Sequence, residues 1–98
     1  MAFKFLHLAV YFEDPGAPTK EAIQTILDGA KDWIRYSPNC WLIYTSKSAQ
    51  EWHDKLFSLP GMKNNTSYFI CAIDQNDRSG WIRKSVWDWI NKHQTGSS

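Results

Sequence analysis

The chain has 98 residues, of which 43% are hydrophobic, and it carries 11 Lys and Arg against 10 Asp and Glu, a formal net charge of +1. This length fits one domain, and a composition that includes six tryptophans is typical of a globular core rather than of disorder. The near-neutral charge excludes a general electrostatic attraction to nucleic acid or to an acidic membrane.

The predicted fold begins with a strand over residues 3–12, which stops at a turn over residues 13–16. A helix follows, with Pro18 in its first turn and an apolar face at helical spacing. Asp28 and Gly29 mark the end of this helix.

A hairpin comes next, because residues 31–37 and 40–45 both predict strands and a tight turn separates them. The second helix begins after Ser48, whose hydroxyl caps the backbone while Glu51 returns a hydrogen bond, a capping box. Pro60 and the glycine after it end this helix.

Residues 63–65 predict a loop and residues 66–73 a strand, followed by a polar turn over residues 74–80. A third helix is predicted over residues 83–93. The last four residues, 95–98, are expected to form a disordered tail.

The order strand-helix-strand-strand-helix-strand predicts a ferredoxin-like α+β fold over residues 1–94, with an extra C-terminal helix. Its antiparallel sheet has the order 4-1-3-2, and its two crossover helices lie on one face. Cys40 and Cys71 would then lie about 10 Å apart, too far for a disulfide. Buried free thiols are expected instead, and with them a cytoplasmic, reducing location.

Every predicted strand is apolar on both faces, whereas a half-exposed antiparallel strand alternates apolar with polar residues. Two crossover helices can cover only one face of the sheet. We therefore expect a second copy of the chain to cover the other, which predicts a homodimer. No apolar run reaches the roughly 20 residues that span a bilayer, so no membrane partner is expected.

Five short aromatic motifs carry a family resemblance: Asp32-Trp33-Ile34-Arg35-Tyr36, Cys40-Trp41-Leu42-Ile43, Ser48-Ala49, Gly80-Trp81 and Val86-Trp87-Asp88-Trp89-Ile90. Through them the chain resembles the small bacterial SinR family over about residues 6–93. That family is similar in fold to the CRISPR-associated adaptation subunit, which has an endonuclease-like ferredoxin architecture. The resemblance implies a ferredoxin-like homodimer, linked to nucleic acid or to defence and mobile-element biology.

The nuclease-like relatives carry an Asp directly after a Tyr at the end of strand one, where one carboxylate per subunit can hold a divalent metal. Here Phe12 follows Tyr11, and Phe cannot ligate Mg²⁺. Glu13 or Asp14, acting across a dimer axis, remains the alternative for a Mg²⁺-dependent endonuclease. A solvated acidic turn before Pro15 is the favoured interpretation of these two residues.

No two histidines have metal-ligand spacing on one element, and no glycine-rich loop follows a strand, so we expect no metal site and no cofactor. Basic and aromatic residues could instead grip phosphates or stack bases. The candidate binding residues are Arg78, Trp81, Arg83, Lys84, Arg35 and Tyr36.

The tryptophans near the C-terminus cannot all face inward, because positions 87 and 89 lie about 200° apart around a helix. The expected dimer interface consists of Trp81, Trp87, Trp89 and Tyr68. Packing of this segment on the free sheet face is equally allowed.

These observations predict a small homodimeric binding or regulatory module, non-catalytic, that acts on nucleic acid, a nucleotide or a protein partner. A Mg²⁺-dependent endonuclease is one alternative. A second alternative is a sink for a nucleotide signal, sandwiched between aromatic faces at the dimer seam.

Overall fold

The computed structural model describes residues 2–13, 16–74 and 79–96. Eight elements follow one another along this part of the chain: β1 (Lys4–Phe12), α1 (Lys20–Leu27), β2 (Asp32–Ser37), β3 (Cys40–Thr45), α2 (Ala49–Phe57), α3 (Met62–Asn65), β4 (Thr66–Ile73) and α4 (Lys84–Gly96). The last helix continues to Gly96, past the domain boundary at residue 94 that the sequence predicts.

The four strands form one antiparallel sheet with the order β2-β3-β1-β4, which confirms the strand order predicted from the sequence. β1 is central and pairs with β3 on one side and with β4 on the other. Among the described residues, β2 and β4 are therefore the two edges of the sheet.

One face of the sheet, here the inner face, packs against α1 and α2. The fully buried residues of this layer come from β1, β3 and the helices, and two of them are large indoles: Leu6, Leu8, Val10, Ile23, Leu27, Trp41, Ile43, Trp52, Leu56 and Met62. Both crossover helices thus lie on the same face, as predicted. The indole N–H groups of Trp41 and Trp52 donate to Gln24 and Thr45 at 3.2 Å each, so neither is left unsatisfied by burial.

The helix starts follow local side-chain chemistry. The Ser48 hydroxyl accepts from the Glu51 backbone N–H at 3.2 Å, and the Glu51 carboxylate accepts from the Ser48 N–H at 3.0 Å, which confirms the predicted capping box. Helix α1 begins at Lys20 with Thr19 as its N-cap, so Pro18 precedes the helix instead of lying in its first turn.

The prediction of a loop over residues 63–65 is wrong, because these residues belong to α3. Gly61 has φ +85°, and a Cβ there would lie 2.2 Å from the Gly16 carbonyl oxygen, so the turn into α3 needs glycine. Met62 is fully buried, and its carbonyl accepts from the Thr66 hydroxyl at 2.6 Å. Burial of one side chain thus orders a polar segment whose local sequence favours a turn.

The other face of the sheet, here the outer face, is partly covered by α4. A second buried cluster joins residues of β1 and β3 to residues of the helix: Phe5, Leu42, Tyr44, Val86, Trp89 and Ile90. The sequence predicts a second copy on this face and also allows the C-terminal segment to pack there. The chain's own C-terminal helix covers part of it.

A single carboxylate at the edge of the sheet holds α4 in place. Asp32 accepts from the Trp89 indole N–H at 3.0 Å and bonds His93 Nε2 at 2.8 Å, while its other oxygen accepts from the Trp33 backbone N–H at 2.8 Å. The His93 ring also stacks on Tyr44, with 4.3 Å between ring centroids. This network joins residues 61 positions apart in the chain.

We expect Asp32→Ala to lower the free energy of unfolding by about 2 kcal/mol, because it leaves two partly buried donors without a charged acceptor. Urea denaturation followed by tryptophan fluorescence measures this loss. Asp88→Ala is the matched control, since Asp88 forms only an exposed pair with Lys84 on the same helix and should cost less than about 0.5 kcal/mol. Equal losses in the two variants would contradict the anchoring role of Asp32.

The same carboxylate makes the packing of α4 on the sheet depend on pH, because Asp32 must be ionised to hold the helix. Partial burial acts to raise the pKa of Asp32, but hydrogen bonds from His93, the Trp33 N–H and Trp89 outweigh it and hold the pKa below its usual value. An Asp with a lowered folded-state pKa contributes its full stability above about pH 4 and loses it as pH falls through the lower value. The stability difference between wild type and Asp32→Ala should therefore shrink in that acid range.

Candidate functional site

The outer face beyond α4 remains open to solvent. Tyr11 on β1 and Phe69 on β4 are 65% and 66% exposed, and a shallow groove runs between their strands. Cys40 and Cys71 lie on the same face, opposite Ala9 and His7 in the sheet register. Both cysteines are free and half-buried, because α4 does not reach them; the sequence predicts full burial.

Tyr36 stands where the covered and open halves of the outer face meet. The pairing of β2 with β3 steps from Arg35–Trp41 to Ser37–Cys40, so Tyr36 is the extra residue of a β-bulge. Its hydroxyl is hydrogen-bonded to His7 Nε2 on β1 and lies against the Cys40 thiol. The bulge thus aims a phenol into a cluster that also contains an imidazole and a thiol.

Burial sets the charge of this cluster. Burial raises the pKa of Tyr36 to about 12, with further contributions from its hydrogen bond to Cys40 and from the charge of that thiolate. Burial also lowers the pKa of His7 below its ordinary value. At neutral pH the Tyr36 phenol therefore keeps its proton, and the lowered pKa of His7 favours its neutral imidazole.

Two arginines line an open cleft beside Tyr36. Arg35, at the bulge, and Arg83, just before α4, share this cleft with Ser37 and Pro38. The Arg35 guanidinium donates to the Pro38 carbonyl from Nε at 3.3 Å and from Nη2 at 3.2 Å. A guanidinium has five N–H groups, so these bonds fix its position and leave others for a ligand. Within the described residues, no carboxylate forms an ion pair with either arginine.

Trp81 forms the outer wall of a second open cleft, which Tyr36, Ile82 and Arg83 also line. Its side chain is 99% exposed. A fully exposed indole is uncommon in a folded domain, because most tryptophans bury the larger part of their surface. It lies next to the guanidinium cleft, and an indole face can stack on a planar ligand.

The structure thus brings together Arg35, Tyr36, Trp81 and Arg83 from the predicted binding residues. The Lys84 side chain is 87% exposed, and its Nζ forms an ion pair with Asp88 Oδ2 at 2.9 Å. It lines neither cleft. Arg78 lies outside the described residues.

The predicted interface residues separate. Trp89 is buried in the chain's own outer-face cluster, and Trp87 packs against that cluster. Tyr68 faces the helix layer, where its hydroxyl bonds His53 Nδ1 at 2.7 Å. Of the four predicted residues, only Trp81 offers a large exposed surface to another molecule.

Glu13 lies just past the end of β1, where its carboxylate accepts a hydrogen bond from the Ser67 hydroxyl. Asp14 lies outside the described residues. Across the part of the chain that the structure covers, no group of three His, Cys, Asp or Glu side chains could hold a metal ion. Metal-dependent cleavage therefore stays a prediction that needs the carboxylates of two copies.

Sequence reasoning did not assign His7 and Cys40 to this site. The strand register places His7 on the same face as Phe5 and Tyr11, with Cys40 opposite Ala9 on that face. The signal that unites them with Tyr36 is the strand register, which brings β1, β2 and β3 side by side. The bulge that turns Tyr36 toward them has no signature in the local sequence.

Comparison with protein-family models, with curated proteins and with solved structures found no significant match for this chain. In the part of the chain that the structure describes, no helix is long and apolar enough to cross a membrane.

We expect the His7 imidazole to titrate below about pH 6.5, the usual midpoint for histidine, because burial disfavours its charged form. Its stabilising contribution is then complete above that pH and is lost as pH falls through the lower folded-state value. A proton NMR titration measures the midpoint, with the His7 ring signal assigned by its loss in His7→Gln. A midpoint at or above the usual value would contradict the described burial.

Proposed function

We propose that this chain is a small, non-catalytic binding module of the ferredoxin-like type that holds the phosphate of a nucleotide between Arg35 and Arg83. The nucleotide is either free or part of a single strand, since the two sources share the same phosphate and base chemistry. The observation that carries the proposal is one cleft with two arginines beside a fully exposed tryptophan.

The fold assignment has its own support. The strand order β2-β3-β1-β4 and two crossover helices on one face agree with a ferredoxin-like topology. The SinR resemblance, a cytoplasmic location and a role in defence or mobile-element biology are proposals that rest on the sequence motifs alone. The neighbouring genes test that role, because a defence operon predicts different partners from a metabolic one.

Phosphate is the ligand group that two guanidiniums on one cleft suit best. Arginine binds phosphate through paired N–H groups in a planar fork, and such charge-assisted bonds are shorter and stronger than neutral ones. With a net charge of only +1, the whole surface does not attract nucleic acid, so affinity has to come from this local pair. A short ligand of one or a few nucleotides therefore fits better than a long strand.

The exposed indole supplies the second contact. Stacking of a base on an aromatic side chain contributes roughly 1–3 kcal/mol and tolerates any base. Trp81 and Arg83 line the same cleft, so a base on the indole keeps its phosphate within the arginine pair. The neighbouring Tyr36 acts as a hydrogen-bonding group at neutral pH rather than as a base, because its pKa is about 12.

We expect the double variant Arg35→Ala, Arg83→Ala to bind nucleotides at least tenfold more weakly than wild type, a loss of about 1.4 kcal/mol. Quenching of tryptophan fluorescence measures binding of adenosine monophosphate, and fluorescence anisotropy measures binding of a labelled uridine octamer. Affinity should also fall as salt rises, since phosphate contacts release counterions.

Lys20→Ala and Lys84→Ala are the matched controls, because each removes one positive charge from a place outside the cleft and should leave both affinities unchanged. Stronger binding of the octamer than of the mononucleotide would identify a single strand as the source, and equal binding would identify the free nucleotide. A wild-type protein that binds neither ligand contradicts the proposal.

We also propose that two copies associate through β4 and the open half of the outer face. β4 is an edge strand of eight residues without a charge or a proline, and Phe69 projects from it 66% exposed. Natural proteins protect such edges with charges, prolines or a partner. Identical uncharged strands can pair antiparallel about a two-fold axis, which joins the two sheets at β4 and brings the exposed Phe69 side chains to the seam.

We expect wild type to sediment as a dimer at micromolar concentration and Phe69→Glu as a monomer, because like charges would then face each other in a desolvated seam. Phe57→Glu is the matched control, since Phe57 is 42% exposed on α2, on the opposite face of the sheet from Phe69. Analytical ultracentrifugation distinguishes the species. A monomeric wild type, or a dimeric Phe69→Glu, would exclude this interface.

A further inference from the structure

A cavity of about 190 Å³ lies between α4 and the outer face of the sheet. Its walls are apolar on both sides, with Phe5, Leu42 and Ile73 from the strands and Ile82, Trp87 and Ile90 from the helical segment. Tyr36, Ser79 and Gly80 complete the lining. The cavity is half open to solvent, and Ser79 and Gly80 in its lining are exposed, so a ligand can enter it from outside.

The volume fits a single ring system. An engineered cavity of about 150 Å³ in another protein binds benzene, whereas sites for whole drug-sized ligands run to about 300–1,000 Å³. A space of about 190 Å³ therefore takes one planar ring group and excludes a complete nucleoside. The rest of such a ligand has to remain outside, in the cleft next to the cavity.

The cavity and the arginine cleft meet at shared residues. Tyr36 lines the cavity, the Arg35–Arg83 cleft and the Trp81 cleft, and Ile82 lines the cavity and the Trp81 cleft. A ring in the cavity thus has Tyr36 between it and the cleft that the two arginines line. The bulge at Tyr36 creates this junction, because it places one phenol at the border of all three spaces.

We propose that the cavity receives the base of the nucleotide whose phosphate lies between Arg35 and Arg83. This inference rests on the proposed function for the phosphate contacts, and it moves the base from the exposed face of Trp81 into the cavity. The aliphatic and aromatic walls contact the two faces of the ring, while the Ser79 hydroxyl and the Gly80 peptide group lie in the lining for its polar edge. The sugar then lies toward the Trp81 cleft, which shares Tyr36 and Ile82 with the cavity.

Gly80 allows the cavity to be filled without changing the cleft. A Cβ at this position would lie 3.9 Å from Trp87 Cζ2, an ordinary van der Waals contact, and the backbone there is not in the left-handed region. Gly80→Ala therefore fits, whereas the longer side chain of Gly80→Leu extends into the space that the base would occupy. Ile82→Phe fills the same space from a different wall.

The probes are adenosine 5′-monophosphate and ribose 5-phosphate, which differ by the base alone. We expect Gly80→Leu and Ile82→Phe to bind adenosine monophosphate about tenfold more weakly, with the affinity for ribose 5-phosphate unchanged. Lys84→Ala, which lines neither the cavity nor the clefts, is the control and should bind both probes as wild type does. Retained binding of ribose 5-phosphate shows that a variant is folded. If Gly80→Leu does not fold, the binding of adenosine monophosphate by Ile82→Phe tests whether the base occupies the cavity.

Each contrary result has a distinct meaning. Wild-type affinity for adenosine monophosphate in a folded Gly80→Leu or Ile82→Phe overturns the cavity proposal and leaves the arginine cleft intact. Failure of wild type to bind either probe overturns the proposed function itself. Equal affinities of wild type for the two probes also overturn the cavity proposal, because the base would then contribute nothing.

Discussion

The constraint on which the rest of this structure depends is that its sheet is apolar on both faces. Two crossover helices cover the inner face, and only α4 is left for the outer one. That helix is held at the sheet edge by Asp32, which joins the Trp89 indole and the His93 imidazole. This one helix of 13 residues packs on Phe5, Leu42 and Tyr44, and it leaves Tyr11 and Phe69 exposed.

Incomplete coverage creates the features with functional potential. An apolar cavity remains between α4 and the sheet. Beyond the area that α4 covers, Tyr11 and Phe69 remain exposed. Tyr36 lines the cavity and also the cleft that contains Arg35 and Arg83. Ligand binding and self-association are thus proposed for neighbouring but separate parts of one face, so either can occur without blocking the other.

Local patterns were sufficient for the elements themselves. Alternation and turn residues located β3 and β4 with the bounds that the structure has, and the capping pair Ser48 and Glu51 located the start of α2. Local patterns did not predict α3, because this helix is stabilised by the burial of Met62, and residues 63–65 carry no apolar pattern that indicates such burial. The sheet order followed from the element order, since short right-handed connections allow few topologies.

The sequence by itself determined the strands, the helices, their order and the excess of apolar surface, because each of these depends on residues close together in the chain. Only the tertiary structure decided that α4 returns to the outer face, and that Tyr36, His7 and Arg83 meet there. Those contacts join residues far apart in the chain through a bulge and a strand register. Such long-range geometry depends on how the whole domain packs, which no short pattern encodes.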